Sequence, residues 1–274
     1  MLTAPHLEHE IVEPTIMLTI RILALAFVPV FFSPIAWAAS LHQQFLGATV
    51  PFDVRDAVLT DAVDIATTLI DAFSPAPVWK YIHPFYENYT NYFQECTEKE
   101  IARIINISST YDLRFRVLTV PDRSAHSRRR VVSFSLWEFN RTAGDRGPFW
   151  PLGLAGADNG NCSLQLATNT TRAAHLMKAM DSAQKTYLDD VYDHQVYIHL
   201  LATHPMWDGN GFAAAHLRWG MALSANMEMP TTLIVTAAGY PLYRSVAFED
   251  IYNISVDRLD SQDTIWYEVM KYSA

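Results

Sequence analysis

The chain has few basic residues and few cysteines, and each shortage excludes a class of protein. Its 274 residues include 20 lysines and arginines against 29 aspartates and glutamates, which gives a formal net charge of −9. A general nucleic-acid binder needs a basic face, so this balance argues against one. Cys96 and Cys162 can form one disulfide, but two cysteines make no disulfide framework. Neither has a C-x-x-C or nearby histidine partner, so the sequence predicts no cysteine-ligated zinc site.

The composition otherwise indicates a folded protein. Half of the residues are apolar (50%), which is enough for a sizeable core. The chain has no internal repeat, and its length suits one large or two small domains.

Residues 1–50 differ from the rest and form an apolar leader. Ile22 to Phe32 is an unbroken apolar run with Arg21 before it and Ala36-Trp37-Ala38 after it. This layout is typical of a secretory signal peptide, especially if translation starts at Met17. A membrane segment through residues 17–39 is a second interpretation, although prolines interrupt it. A wrongly joined leader, or an apolar helix packed on the domain, is the third.

Asparagines in N-x-S/T sequons also bear on the compartment. They favour a secretory route, whereas sequons on core helices or strands are not used. Asn106 and Asn253 are expected to be of that second kind. The six sequons start at Asn88, Asn106, Asn140, Asn161, Asn169 and Asn253.

Residues 51–272 are predicted to form a single domain with an insertion at about 142–161. Apolar periodicity predicts the element order β-α-α-β-β-α-β-turn-α-β-α-β-β, which indicates an α/β or α+β fold. Residues 78–85 are expected to be an aromatic link between helices. Residues 168–191 are expected to form a long amphipathic helix, with Asp189 outside its apolar stripe.

One stretch combines a strand, a glycine turn and a helix. The apolar run of residues 196–202 meets the turn of residues 205–211, and a helix is predicted from Phe212 to Met227. The first amides of a helix have no acceptor within it, so the amides of residues 209–213 can donate to phosphate oxygens. The helix dipole would add to this attraction for an anion.

Three short segments follow one another around this turn: residues 200–205 (LLATHP), residues 208–213 (DGNGFA) and residues 241–249 (PLYRSVAFE). In this order they resemble three patterns of the GNAT superfamily of N-acetyltransferases, especially fungal members without an assigned substrate. The first is similar to the family's L-x-T-x-P approach, the second to its Gln/Arg-x-x-Gly-x-Gly/Ala signature, and the third to its P-L-Y-x-x-x-G-F-E ending, with Ala247 in place of glycine. The resemblance covers roughly Pro51 to Tyr272.

This resemblance implies a mixed, mostly antiparallel twisted sheet of about seven strands with helices on both faces. It also implies that acetyl-CoA is the co-substrate. The strand before the glycine turn would splay from its neighbour, so that the amides of Leu201 and Thr203 bind the pantetheine arm. The pyrophosphate would lie on the turn formed by Asp208, Gly209, Asn210, Gly211, Phe212 and Ala213.

Two residues of the turn depart from the family pattern. Asp208 stands where glutamine or arginine is usual, and Asn210 where arginine is common. A carboxylate beside a pyrophosphate is repelled, by roughly 1 kcal/mol or more at a partly exposed site.

The family's chemistry is direct attack of an amine on the thioester, with a base that takes the amine proton and an acid that protonates the thiolate. Tyr243 matches the usual acid, and Tyr240 is its alternative. The base is expected to be His199 or Glu138. His194 and His204 lie near His199 in sequence, but strand alternation separates His199 from both, so no metal site is predicted.

The sequence therefore predicts an enzyme that moves an acetyl group to an amine, more readily of a small molecule than of a protein. Its partners would be acetyl-CoA and the acceptor amine, with no nucleic acid. One alternative is a degenerate module of this fold without catalysis. Another is a secreted or membrane-tethered glycoprotein with no coenzyme A chemistry. Acetyl-CoA favours the cytoplasm and the leader favours the secretory pathway, so the localisation stays open, as does the oligomeric state.

Overall fold

The computed structural model describes residues 50–108, 112–122, 128–142 and 160–273, which fall within one compact unit of residues 46–274. The predicted leader, apart from Val50, and most of the predicted insertion lie outside the described residues. The predicted membrane segment of residues 17–39 lies outside them too. Within the described ranges, no helix has both the length and the apolar character that crossing a membrane requires.

The described strands form one sheet in the order β1-β2-β3-β4-β5-β7-β6. The neighbours pair antiparallel, except for the parallel pair β4 and β5. The strands are β1 (Asp53–Asp56), β2 (Leu113–Pro121), β3 (Arg129–Thr142), β4 (His194–Thr203), β5 (Thr231–Thr236), β6 (Glu249–Asp257) and β7 (Thr264–Tyr272).

Helices cover both faces of the sheet. On one face α1 and α3 pack on the first half of the sheet, and α4 packs on the second half. On the other face lie α5 and α6. This confirms the predicted mostly antiparallel seven-stranded sheet between helices. The helices are α1 (Ala62–Phe73), α2 (Pro77–Ile82), α3 (Thr90–Ile107), α4 (Thr170–Gln184), α5 (Phe212–Asn226) and α6 (Tyr240–Ser245).

The short helix α2 replaces the expected aromatic link. Pro77 occupies its first turn, where a missing N–H costs nothing and the fixed φ favours a helix. Trp79 and Tyr81 are buried, and Trp79 packs edge-on against Phe93 of α3. The aromatic residues of this segment are therefore largely core.

Helix α4 ends differently from the prediction. Asn169 caps its start by accepting from the backbone amide of Arg172 at 3.1 Å. A π-helical turn, Lys185–Asp189, follows the α-helix and turns Asp189 inward. Asp189 is only 6% exposed, so its predicted place on the polar face is wrong.

The two cysteines are joined. A disulfide links Cys96 of α3 to Cys162, with the Cα atoms 5.5 Å apart, and closes a loop of 66 residues. Asn88, Asn106 and Asn253 are exposed. The expectation that Asn106 and Asn253 lie in core positions is therefore wrong, because Asn106 lies on the outer side of α3 and Asn253 on the outer side of β6.

Candidate active site

Strands β4 and β5 separate in the middle of the sheet. They pair only from Val196 to Ile198, opposite Thr231 to Leu233, although β4 continues to Thr203 and β5 to Thr236. Beyond that point β4 stays paired with β3, and β5 stays paired with β7. The result is an opening between β4 and β5, with its apex at Ile198 and Leu233, as the sequence predicts.

The second half of β4 turns alternate amides into this opening. The amide of His204, directly after β4, donates to the carbonyl of Val132 of β3 at 2.9 Å. Because amides alternate along an antiparallel strand, those of Ala202 and Leu200 also face β3. The amides of Leu201 and Thr203 therefore face the opening, where an extended ligand can add like a strand.

The glycine turn follows at the wide end of the opening. Pro205–Trp207 form one 3-10 turn, and α5 begins directly after Gly211. Gly209 and Gly211 have φ values of 77° and 72°, a left-handed conformation that glycine adopts without strain. No backbone carbonyl of the described residues accepts from the amides of residues 209–213, so this turn has the donors that an anion needs.

The two departures in the turn are now located. Asp208 is exposed and follows the 3-10 turn. Asn210 is half-buried, and its side-chain amide donates to the carbonyl of Trp207 at 3.0 Å. Asn210 therefore stabilises the turn itself, whereas Asp208 places a carboxylate at its outer surface.

His199 lies at the apex of the opening, in a β-bulge. Leu200 pairs with Leu136, and Ile198 pairs with Trp137, so His199 is one extra residue on β4. A bulge re-aims the side chains around it. Because of the extra residue, side chains do not alternate strictly along β4, so the prediction that alternation separates His199 from His194 and His204 does not hold. The exposed His194 and the Asp71-paired His204 lie elsewhere, and in the described part of the chain no cluster suits a metal ion.

The two base candidates contact each other. His199 Nε2 lies 2.7 Å from Glu138 Oε2, and the same oxygen accepts from Arg141 Nη1 at 2.6 Å. Arg141 also donates from Nε to Asp189 Oδ1 at 3.2 Å. The side chains of Glu138, Arg141 and Asp189 are at most 7% exposed, and that of His199 is 13% exposed. We call these four residues the charged cluster.

Burial and the neighbouring charges decide the protonation states of His199 and Glu138. Burial lowers the pKa of His199, and the charge of Arg141 acts in the same direction, while Glu138 opposes both. Burial alone would raise the pKa of Glu138, but His199 and Arg141 outweigh it, so the pKa of that carboxyl is lowered. At neutral pH the pair is thus a carboxylate and a neutral imidazole. Since an ionised carboxylate only accepts, His199 donates from Nε2 to Glu138.

Two tyrosines complete the apex. Tyr243 of α6 is 6% exposed and packs at 5.3 Å against the ring of Phe248. Burial raises its pKa, and the phenol of Tyr197 adds to the effect. Tyr197 lies edge-on to His199, with ring centroids 4.9 Å apart, and its phenol interacts with the backbone amide of Ile234 of β5. Both phenols keep their protons at neutral pH, which is what an acid requires.

Tyr240, the alternative acid, lies in a different place. Its hydroxyl donates to Asp250 Oδ2 at 2.9 Å at the protein surface. Within the same stretch, Ala247 stands in a left-handed conformation with φ of 67°. That is the conformation for which glycine, the family's residue, is suited.

Sequence reasoning missed Arg141, Asp189 and Tyr197. Asp189 had been assigned to the polar face of its helix. Arg141 lies three residues after Glu138, which on a regular strand puts the two on opposite faces. The buried polar side chains themselves gave no periodic signal.

No family model matches the chain, and no curated protein matches its sequence. Solved structures do match. The C-terminal condensation domain of Ebony, in complex with β-alanyl-dopamine, is 10% identical, and the match covers 82% of this chain and all of that one (100%), with a TM-score of 0.56. The polyamine N-acetyltransferase of Drosophila melanogaster, which forms N-acetylagmatine, is 13% identical over 82% of this chain and 100% of its own, with a TM-score of 0.53.

The chain has the GNAT fold. At these identities the likeness concerns architecture, and the roles of individual residues depend on the geometry above. In this GNAT fold, the amide-lined opening, the glycine turn and the charged cluster all involve strand β4.

Proposed function

We propose that this chain is an acetyl-CoA-dependent N-acyltransferase that moves an acetyl group to an amine by direct attack on the thioester. The observation that carries the proposal is the opening between β4 and β5, lined by the amides of Leu201 and Thr203 and ending at the glycine turn. From His199 to His204 the strand advances roughly 16 Å, at about 3.3 Å per residue. That separation suits an extended arm between a thioester at the apex and a pyrophosphate at the turn.

The binding roles follow from the backbone. The amides of Gly209, Asn210, Gly211, Phe212 and Ala213 donate to the pyrophosphate at the amino end of α5. The amides of Leu201 and Thr203 hold the arm, and an amide directed at the thioester carbonyl stabilises the negative charge that develops on its oxygen. Bound acetyl-CoA supplies the activated acyl group.

The proton-transfer roles belong to the apex. His199, oriented by Glu138, takes the proton of the attacking amine. Tyr243 gives its proton to the departing thiolate. The neutral imidazole and the two protonated phenols are the states this exchange needs at neutral pH.

The acceptor we propose is an amine of a small molecule. The charged cluster favours a cationic amine, because two carboxylates against one guanidinium and a neutral imidazole leave a net charge of −1. A negative site attracts an ammonium group. The two similar structures described above are associated with acyl derivatives of small amines, N-acetylagmatine and β-alanyl-dopamine.

A screen of amines for acetyl-CoA-dependent thiol release tests this function. Polyamines, agmatine, arylalkylamines and peptide amino termini are offered to the wild-type protein and to Tyr243→Phe. We expect release with at least one small amine and a slower rate in Tyr243→Phe. Unchanged turnover in the variant would refute the acid role, and release with peptides alone would refute the small-molecule acceptor.

A second candidate is a binding module of the same fold without catalysis. Asp208 favours it, because its exposed carboxylate stands at the turn where the pyrophosphate is proposed to bind. In that case acetyl-CoA would bind and no tested amine would release thiol from it.

A third candidate is a glycoprotein of the secretory route. The Cys96–Cys162 disulfide and the exposed sequon asparagines Asn88 and Asn106 favour it, because disulfides persist in oxidising compartments. Intact-mass analysis of the native protein, before and after glycosidase, tests this. Glycans on these asparagines and an amino terminus at Ala39 are expected from the secretory route, and an unglycosylated reduced chain contradicts it.

A further inference from the structure

Three irregularities of the backbone converge on the charged cluster. One is the bulge of β4 at His199, the second is a bulge of β3 between Glu138 and Arg141, and the third is the π-helical turn that ends at Asp189. Bulges and π-turns interrupt regular hydrogen bonding, and they concentrate where a side chain has to be aimed. Here each one aims a side chain at the same place.

The bulge in β3 brings Glu138 and Arg141 to one face. Glu138 pairs with Tyr197 and Arg141 pairs with Gln195, so three steps along β3 face two steps along β4. On a regular strand the two side chains would point to opposite faces. With the extra residue, Arg141 donates to Glu138 at 2.6 Å.

The π-helical turn supplies Arg141 with a second carboxylate partner beside Glu138. Asp189 Oδ1 accepts from Arg141 Nε at 3.2 Å and from Gln195 Nε2 at 3.1 Å. Gln195 is held in turn by the hydroxyl of Thr232 on β5. The guanidinium also lies over the ring of Tyr197, 5.2 Å from its centroid. Arg141 is therefore held by Glu138 of its own strand, by Tyr197 of β4 and by Asp189 of the turn.

We propose that Arg141 and Asp189 are positioning residues, which hold Glu138 in the place and charge state that orient His199 for proton removal from the acceptor amine. This inference rests on the proposed function. Arg141 donates to Asp189 as well as to Glu138, so its positive charge is divided between two carboxylates. Glu138 can therefore accept from His199 and from Arg141 at the same time, and neither donor displaces the other. A site built only from Glu138 and His199 would leave the carboxylate free to rotate.

The charges of these residues predict shifts in the pKa of His199 that a purely packing role would not produce. Among the described groups, Glu138 and Arg141 of β3 and Tyr197 of β4 act on His199, and Asp189 of the turn lies behind Arg141. Removing the positive charge of Arg141 raises the pKa of His199. Removing the negative charge of Asp189 or Glu138 lowers it. A merely structural role would reduce stability and leave the pKa of His199 in place.

The test is an NMR titration of the His199 ring in the full chain, with the pH profile of kcat/KM measured beside it. The variants are Arg141→Met, Asp189→Asn and Glu138→Gln, and Asp190→Asn is the matched control, because Asp190 is the exposed neighbour that pairs with Lys185. We expect an upward shift of the pKa of His199 in Arg141→Met, downward shifts in Asp189→Asn and Glu138→Gln, and no shift in the control. The acidic limb of the kcat/KM profile moves with the pKa of His199, and Asp189→Asn loses roughly tenfold in kcat/KM, a part of the about 10²–10⁴-fold that a positioned base contributes.

An unmoved pKa of His199 in Asp189→Asn, or shifts of the same sign in Asp189→Asn and Arg141→Met, would overturn the proposal. If Arg141→Met does not fold, the two isosteric variants still decide, because both must lower the pKa. A wild-type chain that binds acetyl-CoA and acetylates no amine would overturn the proposed function, while the titration would still report whether Arg141 and Asp189 control His199.

Discussion

The glycine turn and the charged cluster lie at opposite ends of the same half of β4, and they are built in opposite ways. The turn consists of consecutive residues, presents backbone amides and has an exposed outer surface. The cluster joins Glu138 and Arg141 of β3, Asp189 of the π-helical turn and His199 of β4, and it works through buried side chains. A substitution in the turn should therefore change binding, whereas one in the cluster should change proton transfer.

The largest effect is expected from His199→Gln. Loss of a positioned base typically costs about 10²–10⁴-fold in rate, so kcat should fall by at least about a hundredfold, while the dissociation constant of acetyl-CoA stays the same. Steady-state kinetics and calorimetry on the same preparation measure both. His194→Gln, at the exposed start of the same strand, is the control. Turnover near that of the wild type in His199→Gln would remove this residue from the mechanism.

Gly211→Val should affect the other region, because it changes acetyl-CoA binding at the glycine turn. A β-branched residue is strongly disfavoured at a φ of 72°, at a cost of roughly 1–2 kcal/mol or more, so the loop must shift its amides. We expect the dissociation constant of acetyl-CoA to rise at least about tenfold. Gly211→Asn should change it far less, because asparagine tolerates the left-handed conformation. Equal affinity in Gly211→Val and the wild type would mean that the turn does not hold the pyrophosphate.

A smaller effect is expected from Asp208→Asn. Removing a partly exposed carboxylate near a pyrophosphate relieves about 1 kcal/mol of repulsion, so acetyl-CoA should bind about fivefold more tightly. The gain should shrink at high salt, where exposed charges are screened. Asp257→Asn, an exposed carboxylate at the end of β6, serves as the control. Weaker binding in Asp208→Asn would show that this carboxylate supports the turn.

The smallest effect is expected from Ala247→Gly, which introduces the glycine of the GNAT pattern that residues 241–249 resemble. Glycine relieves the strain at a φ of 67°, and part of the gain is lost to its greater freedom in the unfolded chain. The free energy of unfolding should rise by roughly 0.5–1 kcal/mol. Denaturant melts measure this. The control is Ala222→Gly at an exposed position in the middle of α5, where the free energy of unfolding should fall instead. Destabilisation in both variants would contradict the strain argument.

The same contrast explains what the sequence could predict. The element order along the chain and the glycine turn follow from local periodicity, and the sheet with helices on both faces follows from the resemblance that short patterns carry; the structure has them all. Helix α2 was missed because a six-residue segment spans too few turns to show a period. The charged cluster could not be assembled from alternation, because the bulges at His199 and between Glu138 and Arg141 break the alternation on which such reasoning depends.

Asp189 shows the limit most clearly. Helical periodicity places it on the polar face, and an α-helix continued through residue 189 would keep it there. The π-helical turn rotates it into the core instead, where Arg141 and Gln195 neutralise and hold it. The partners that make this favourable come from two other elements, so no local pattern contains the information.

The central claim is that the opening between β4 and β5, with the glycine turn at its end, binds acetyl-CoA. Isothermal titration of acetyl-CoA into the wild-type chain and into Gly211→Val tests it directly. The account predicts saturable one-to-one binding to the wild type that is weakened in the variant. No binding to the folded wild-type chain at high micromolar acetyl-CoA would contradict it.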